Sequence, residues 1–140
     1  MILFDRFNMP EDVFEIVFAT KQQKIVAAVL ITRMKEKGGE IDRSEMSEIA
    51  TLLHEGKLQT MLEEPEFHGK MVRLSYNKRQ FYDRILAPLR GMGMIDYDLY
   101  KKTYRLSDDF YNQMVKIGNK WVAFLKKQEA PTKKVKASTR

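Results

Sequence analysis

The sequence predicts an α+β domain, mainly helical, with one small β-hairpin near its C-terminal end. Three observations predict it. Apolar residues recur at helical spacing in several separate segments. Thr, Asp and Ser stand where those segments begin, and Gly stands where they stop. Residues 95–106 instead alternate apolar and polar with period two. At 140 residues the chain is long enough to bury one core without staples.

In NMPEDVFEIVFA, Asn8 is a candidate cap, with Pro10, Glu11 and Asp12 as helix-start signals. Phe14, Val17 and Phe18 form a stripe. With Ile2, Leu3 and Phe4 they make residues 1–19 an apolar arm, which covers the core or meets a second subunit. The clearest helix follows. Thr20 and Gln23 form a capping box, and Gly38 and Gly39 end it with Lys35 and Lys37 in the last turn. Ile25, Val26, Val29, Leu30 and Ile31 leave little polar face, so this is the central core helix.

Asp42 and Glu45 are a weaker capping pair for the next helix. Met46, Ile49, Ala50 and Leu53 give it one apolar stripe, and Gly56 stops it. Beyond, Leu58, Met61 and Leu62 suggest a further helical turn or two, Pro65 and Gly69 a loop, and residues 71–74 a short extended stretch.

Ser75 is expected to cap a helix over 76–90. Phe81, Ile85, Leu86 and Leu89 face the core, with Tyr82 on the flank. The opposite side carries Tyr76, Asn77, Gln80, Asp83, Arg84 and Ala87. Pro88 cannot donate to the Arg84 carbonyl and is expected to bend or tighten the last turn. Gly91 to Met94 turn the chain, and Met92 and Met94 are expected in the core under the hairpin.

In the hairpin, Ile95, Tyr97 and Leu99 share one face, as do Tyr104 and Leu106. Its connection lacks Asn-Gly, so the tip is longer than a two-residue turn. Ser107 is expected to cap the last helix, with Asp108 and Asp109 at its positive end. Phe110, Met114, Ile117, Trp121 and Phe124 are spaced as a heptad seam. Residues 128–140 read as a basic flexible tail with little to bury.

Charge is unevenly placed. Residues 1–69 hold 8 Lys and Arg against 13 Asp and Glu, while 70–105 hold 9 against 3. Residues 120–140 hold 7 against 1. Two basic blocks in an acidic chain favour a polyanionic partner. No cysteine is present, so disulfides and thiolate metal sites are excluded, and a reducing compartment fits. The longest apolar run, residues 25–31, is too short for a bilayer. The first residues lack the basic start of a signal peptide. A cytoplasmic protein, nucleoid-associated in a prokaryote, is expected.

Catalytic signals are thin. His54 and His68 are the only histidines, and no metal site is expected from them. Glu63, Glu64 and Glu66 beside Pro65 read as a solvated loop. Gly91-Met92-Gly93 lacks the spacing and Lys-Ser/Thr of a phosphate-binding loop. With no nucleophile–base pair, an enzyme is not expected, nor is any cofactor.

The order is helix, helix, linker, capped helix, glycine turn, hairpin, long helix. Carried by SYNKRQFYDRILAPLRGMGMIDYD and KKTYRLSDDFYNQM, it resembles the winged helix-turn-helix regulators of the MarR, PadR and Lrs14 kinds. The resemblance covers residues 20–127, with 1–19 as an extra N-terminal helix. It departs from the family in residues 56–71, where the two helices are normally joined by a turn of about three or four residues. It implies a recognition helix over 76–90 and a wing over 95–106.

The residues themselves fit that role. Ser75, Tyr76, Asn77, Lys78 and Arg79 gather at a helix start, where amides and cations suit phosphates. Gln80 and Arg84 have the donors to read base edges in a major groove. Tyr100, Lys101 and Lys102 at the wing tip are placed for the backbone or minor groove. The expected activity is therefore sequence-specific binding of double-stranded DNA by a dimeric transcriptional regulator, its effector unspecified. The dimer interface is assigned to Phe14, Phe18, Phe110, Met114, Ile117, Trp121 and Phe124, which would space two recognition helices about 34 Å apart. Two alternatives stand beside it: a winged-helix adaptor that binds protein, and an architectural or plasmid-partition DNA binder of low selectivity.

Overall fold

In the computed structural model, which describes residues 4–61 and 70–129, the N-terminal arm folds onto its own chain. Helix α1 (Val13–Val17) is capped by Asp12, whose carboxylate accepts from the Glu15 amide at 3.1 Å. Asn8, the expected cap, instead closes a turn by donating its amide to the Asp5 carbonyl. Phe18 is 5% exposed within the core, and Phe14 and Val17 pack against that core. The assignment of Phe18 to a subunit interface is therefore corrected, while Phe14 stays half-buried. Burial in the core removes the Phe18 ring from water within one chain.

Helix α2 (Lys21–Glu36) has the expected capping box and buries Val26, Ala27, Val29, Leu30 and Met34. A short strand, β1 (Glu40–Asp42), leads into α3 (Arg43–His54), where Asp42 and Glu45 form a complete capping box. The whole stripe of Met46, Ile49, Ala50 and Leu53 is buried as expected. Strand β1 joins the two strands of the expected hairpin, β4 (Ile95–Asp98) and β5 (Thr103–Leu106), in an antiparallel sheet ordered β1-β5-β4. Ile41 stands opposite Tyr104, and Ile95 opposite Leu106, so one face of the sheet closes the core.

The long link between α3 and the next helix is a β-hairpin, not a further helical turn. Strands β2 (Leu58–Met61) and β3 (Met71–Leu74) pair antiparallel, with Leu58 opposite Leu74 and Thr60 opposite Val72. Leu58 is buried while Gln59 is exposed, the alternation of a strand with one covered face. Its apolar spacing alone also fits a helix; only the partner strand decides. Arg33 Nη2 donates to the Gln59 carbonyl at 2.6 Å, and Gln22 Nε2 to the Ser75 carbonyl at 3.3 Å, fastening the hairpin along α2. The acids Glu63, Glu64 and Glu66, with His68, lie outside the described residues.

The base of this hairpin restores a tight junction. Gly56, at φ +69°, lets the Gly56 and Lys57 amides turn back to the Leu53 and Leu52 carbonyls. After the excursion, the Tyr76 amide returns to the same Leu53 carbonyl at 2.9 Å.

The recognition-helix candidate comprises α4 (Lys78–Phe81), a π turn (Tyr82–Leu86) and α5 (Ala87–Gly91). Its cap is Asn77, whose side chain accepts from the Gln80 amide at 3.0 Å, and not Ser75. Ahead of Pro88 the helix widens, where a bend or a tightened last turn was expected. The Ala87 amide reaches back five residues to the Tyr82 carbonyl. A π turn accommodates a proline that can neither donate nor approach the carbonyl four residues earlier. Phe81, Ile85, Leu86 and Leu89 are all buried. At the far end Met94 packs against the core, but Met92 is exposed, so only one of these two methionines lies under the hairpin.

These elements form one compact unit, Met1–Ser107; a second begins at Asp108. The second consists of α6 (Asp109–Glu129). The Asn112 amide donates to the Asp108 carbonyl, which puts Asp108, one residue after Ser107, in the cap position. Met114, Ile117, Trp121 and Phe124 are exposed on α6, and Phe110 is half-buried. Among the described residues, no helix is long and apolar enough to cross a membrane. The basic tail from residue 130 lies outside the described residues.

Candidate nucleic-acid interface

The start of α4 is more self-satisfied than its sequence suggests. The Lys78 amide donates to His54 Nδ1 at 3.0 Å, and the Gln80 amide is taken by Asn77. Two of the helix's first amides are therefore already paired and closed to phosphate. Lys78 Nζ donates to Thr51 Oγ1 at 3.0 Å, which ties its side chain to α3. Tyr76 is 7% exposed, so its assignment to DNA contact is corrected. Its ring belongs to the core, because the hairpin base turns the chain inward at this residue.

Ser75, Asn77, Arg79, Gln80 and Arg84 remain exposed. Arg79 Nε lies 3.7 Å from Asp83 Oδ2 one turn on, a solvent-screened pair that leaves its guanidinium accessible. Gln80 and Arg84 are therefore available on this helix beside exposed Arg79 and Asp83.

The tip of the β4–β5 hairpin is built by Asp98. Its carboxylate accepts from the Tyr100 amide at 2.9 Å and the Lys101 amide at 3.0 Å, and the Lys102 amide donates to its carbonyl at 2.7 Å. The amide of Lys101 first, and that of Tyr100 second, hold the Asp98 carboxyl below the usual carboxylate range. Lys102 takes a left-handed φ of 56° to close this four-residue tip (residues 99–102). The turn is longer than a primed two-residue type, as expected. Leu99, Tyr100, Lys101 and Lys102 all point into solvent.

Behind the tip, the sheet face is aromatic. The Tyr97 and Tyr104 rings stand 4.6 Å apart across the strand pair, and Arg90 lies 5.4 Å from the Tyr97 ring centre. Burial chiefly pushes the Tyr104 phenol above its ordinary range.

Sheet pairing then creates a site that the sequence does not display. Asp42 faces Thr103 in the β1–β5 ladder, and the Arg43 amide donates to the Lys102 carbonyl at 3.1 Å. The start of α3 is thereby fastened to the β4–β5 tip. Between them opens a cleft of about 660 Å³, lined by Asp42, Arg43, Ser44, Ser47, Tyr82, Lys101, Lys102 and Tyr104. Arg43, Ser44 and Ser47 had no assigned role; Asp42-Arg43-Ser44 looks locally like a helix start and nothing more. Three cations, two hydroxyls, two phenols and one carboxylate line one concavity, the carboxylate of Asp42 being engaged by the Glu45 amide. Such a set can hold an anion by charge and by hydrogen bonds from the rim. Tyr82 links the cleft to the π turn of the recognition-helix candidate.

No protein-family model, curated protein or solved structure matches the chain.

Proposed function

We propose that the protein is a winged helix-turn-helix binder of double-stranded DNA that acts as a dimeric transcriptional regulator. The observation that carries this reading is the cleft where Lys101 and Lys102 of the wing meet Arg43 at the start of α3. Exposed Gln80 and Arg84 on the α4–α5 helix carry donors suited to base edges, and the cations of the cleft suit phosphate. The element order α2-β1-α3-α4/α5-β4-β5 and the strand order β1-β5-β4 support the fold name. So does the junction at Leu53, which brings α3 and α4 together despite the inserted hairpin. The test is duplex-DNA binding measured against salt, combined with selection from random duplexes. A selected sequence bound well above bulk DNA supports the reading, and absence of duplex binding at low salt overturns it.

A second reading, a protein-binding adaptor, has one observation in its favour. Leu99 is 75% and Tyr100 98% exposed at the wing tip, and an apolar-aromatic tip suits a protein groove. Loss of duplex-DNA binding after Leu99→Ser with Tyr100→Ser would count against the tip as an adaptor surface.

A further inference from the structure

Helix α6 carries an apolar face that one protomer leaves in water. Tyr111, Met114, Val115, Ile117, Trp121, Val122, Phe124 and Leu125 are between 38% and 65% exposed. At about 100° per residue they cover roughly half of the helix circumference, twice the width of a simple heptad seam. Side chains of this size, so exposed, leave on the order of 800 Å² of apolar surface, more than an ordinary monomer shows in one patch. That is also about the area each partner contributes to a standard interface.

The centre of this face is symmetric about one residue. Gly118 lies near the middle of the helix and on the apolar side. Val115 and Trp121 stand three residues to either side of it, Met114 and Val122 four, and Tyr111 and Leu125 seven. A two-fold axis beside Gly118 would therefore set apolar against apolar in these three pairs, with Ile117 and Phe124 at the flank opposite Asn119 and Asn112. The glycine has no explanation inside the protomer, since a Cβ built there meets nothing within 4 Å. Glycine weakens a helix interior, and what it offers in return is close approach of another backbone.

We propose that α6 pairs antiparallel with α6 of a second copy, crossing at Gly118. Charge agrees with that direction. Asp108 and Asp109 open the helix and Lys126 lies near its end; antiparallel pairing sets the acidic end of one copy beside the basic end of the other. Parallel pairing would stack like on like. The inference rests on the two-copy reading above but does not require DNA to be the ligand.

The chain has no cysteine, so single-cysteine variants report directly. Spin labels on Asn112→Cys and Lys126→Cys should give different distances between copies, because antiparallel axial separation grows by about 3 Å per residue from the crossing. That is roughly 18 Å at position 112 and 24 Å at position 126. Gly118→Cys should form an intermolecular disulfide on mild oxidation. Gly118→Leu, which favours helix in the protomer, should keep its helical signal by circular dichroism and lose the dimer in sedimentation. A dimer with equal, short distances at both labels would overturn the antiparallel crossing and leave the two-copy reading standing. A parent protein that sediments as a monomer at micromolar concentration would overturn both. Failure of duplex binding by a parent dimer would touch only the DNA reading.

Discussion

The backbone amide of Lys78 donates to Nδ1 of His54 at 3.0 Å, so the last residue of α3 caps the first residue of α4. Together with Lys78 Nζ on Thr51 and the Tyr76 amide on Leu53, this bond makes a rigid helix–helix junction from two segments that an inserted hairpin separates.

His54→Ala should cost about 0.5–1.5 kcal/mol in urea unfolding, the usual net worth of one such hydrogen bond. His54→Asn, which keeps an acceptor, should recover part of that loss. An unchanged unfolding midpoint for His54→Ala would show that the junction does not depend on this bond.

Under the proposed DNA-binding function, Gln80 and Arg84 read the bases. Replacing either with Ala should reduce discrimination between a selected duplex and a random one by ~1–3 kcal/mol, with the thermal midpoint unchanged because both side chains are exposed. Parental discrimination in both variants would move the reading surface elsewhere.

The cleft is tested by salt. Arg43→Ala, Lys101→Ala and Lys102→Ala should each weaken binding to all duplexes alike. Each should also flatten the dependence of log affinity on log salt by about one unit for every phosphate no longer neutralised. Arg43 is the discriminating member. A slope that responds to Lys101 and Lys102 but not to Arg43 would mean that the wing touches DNA while the α3 side of the cleft does not.

Asp98 makes the tip of the β4–β5 hairpin sensitive to acid. Its carboxyl is held below the ordinary value of 3.8 in the folded protein, first by the Lys101 amide and then by the Tyr100 amide. The folded value is thus lower than the unfolded one. The carboxylate's contribution is present above the unfolded value and fades as pH falls through the folded value. The amide protons of Tyr100 and Lys101 should therefore shift with a midpoint below 3.8, and Asp98→Ala should abolish that transition. A midpoint at or above 3.8 would contradict the turn geometry.

Interactions between near neighbours in the chain were settled by the sequence itself. The boxes Thr20–Gln23 and Asp42–Glu45, the stripe from Met46 to Leu53 and the period-two alternation of Ile95 and Tyr97 each involve residues a few positions apart. Their geometry follows from helix or strand periodicity alone. Everything that depended on a distant partner was decided by the tertiary structure. Leu58 and Met61 fit a helical turn until Leu74 and Met71 pair with them. Tyr76 alternates onto a polar face until the return to Leu53 buries it. Phe18 looks free to meet another subunit until the core buries it. The cleft follows the same rule: Arg43 and Lys102 are far apart in the chain and share no local pattern. The β1–β5 ladder brings them together, because a strand's unpaired amides and carbonyls must find partners wherever the chain supplies them.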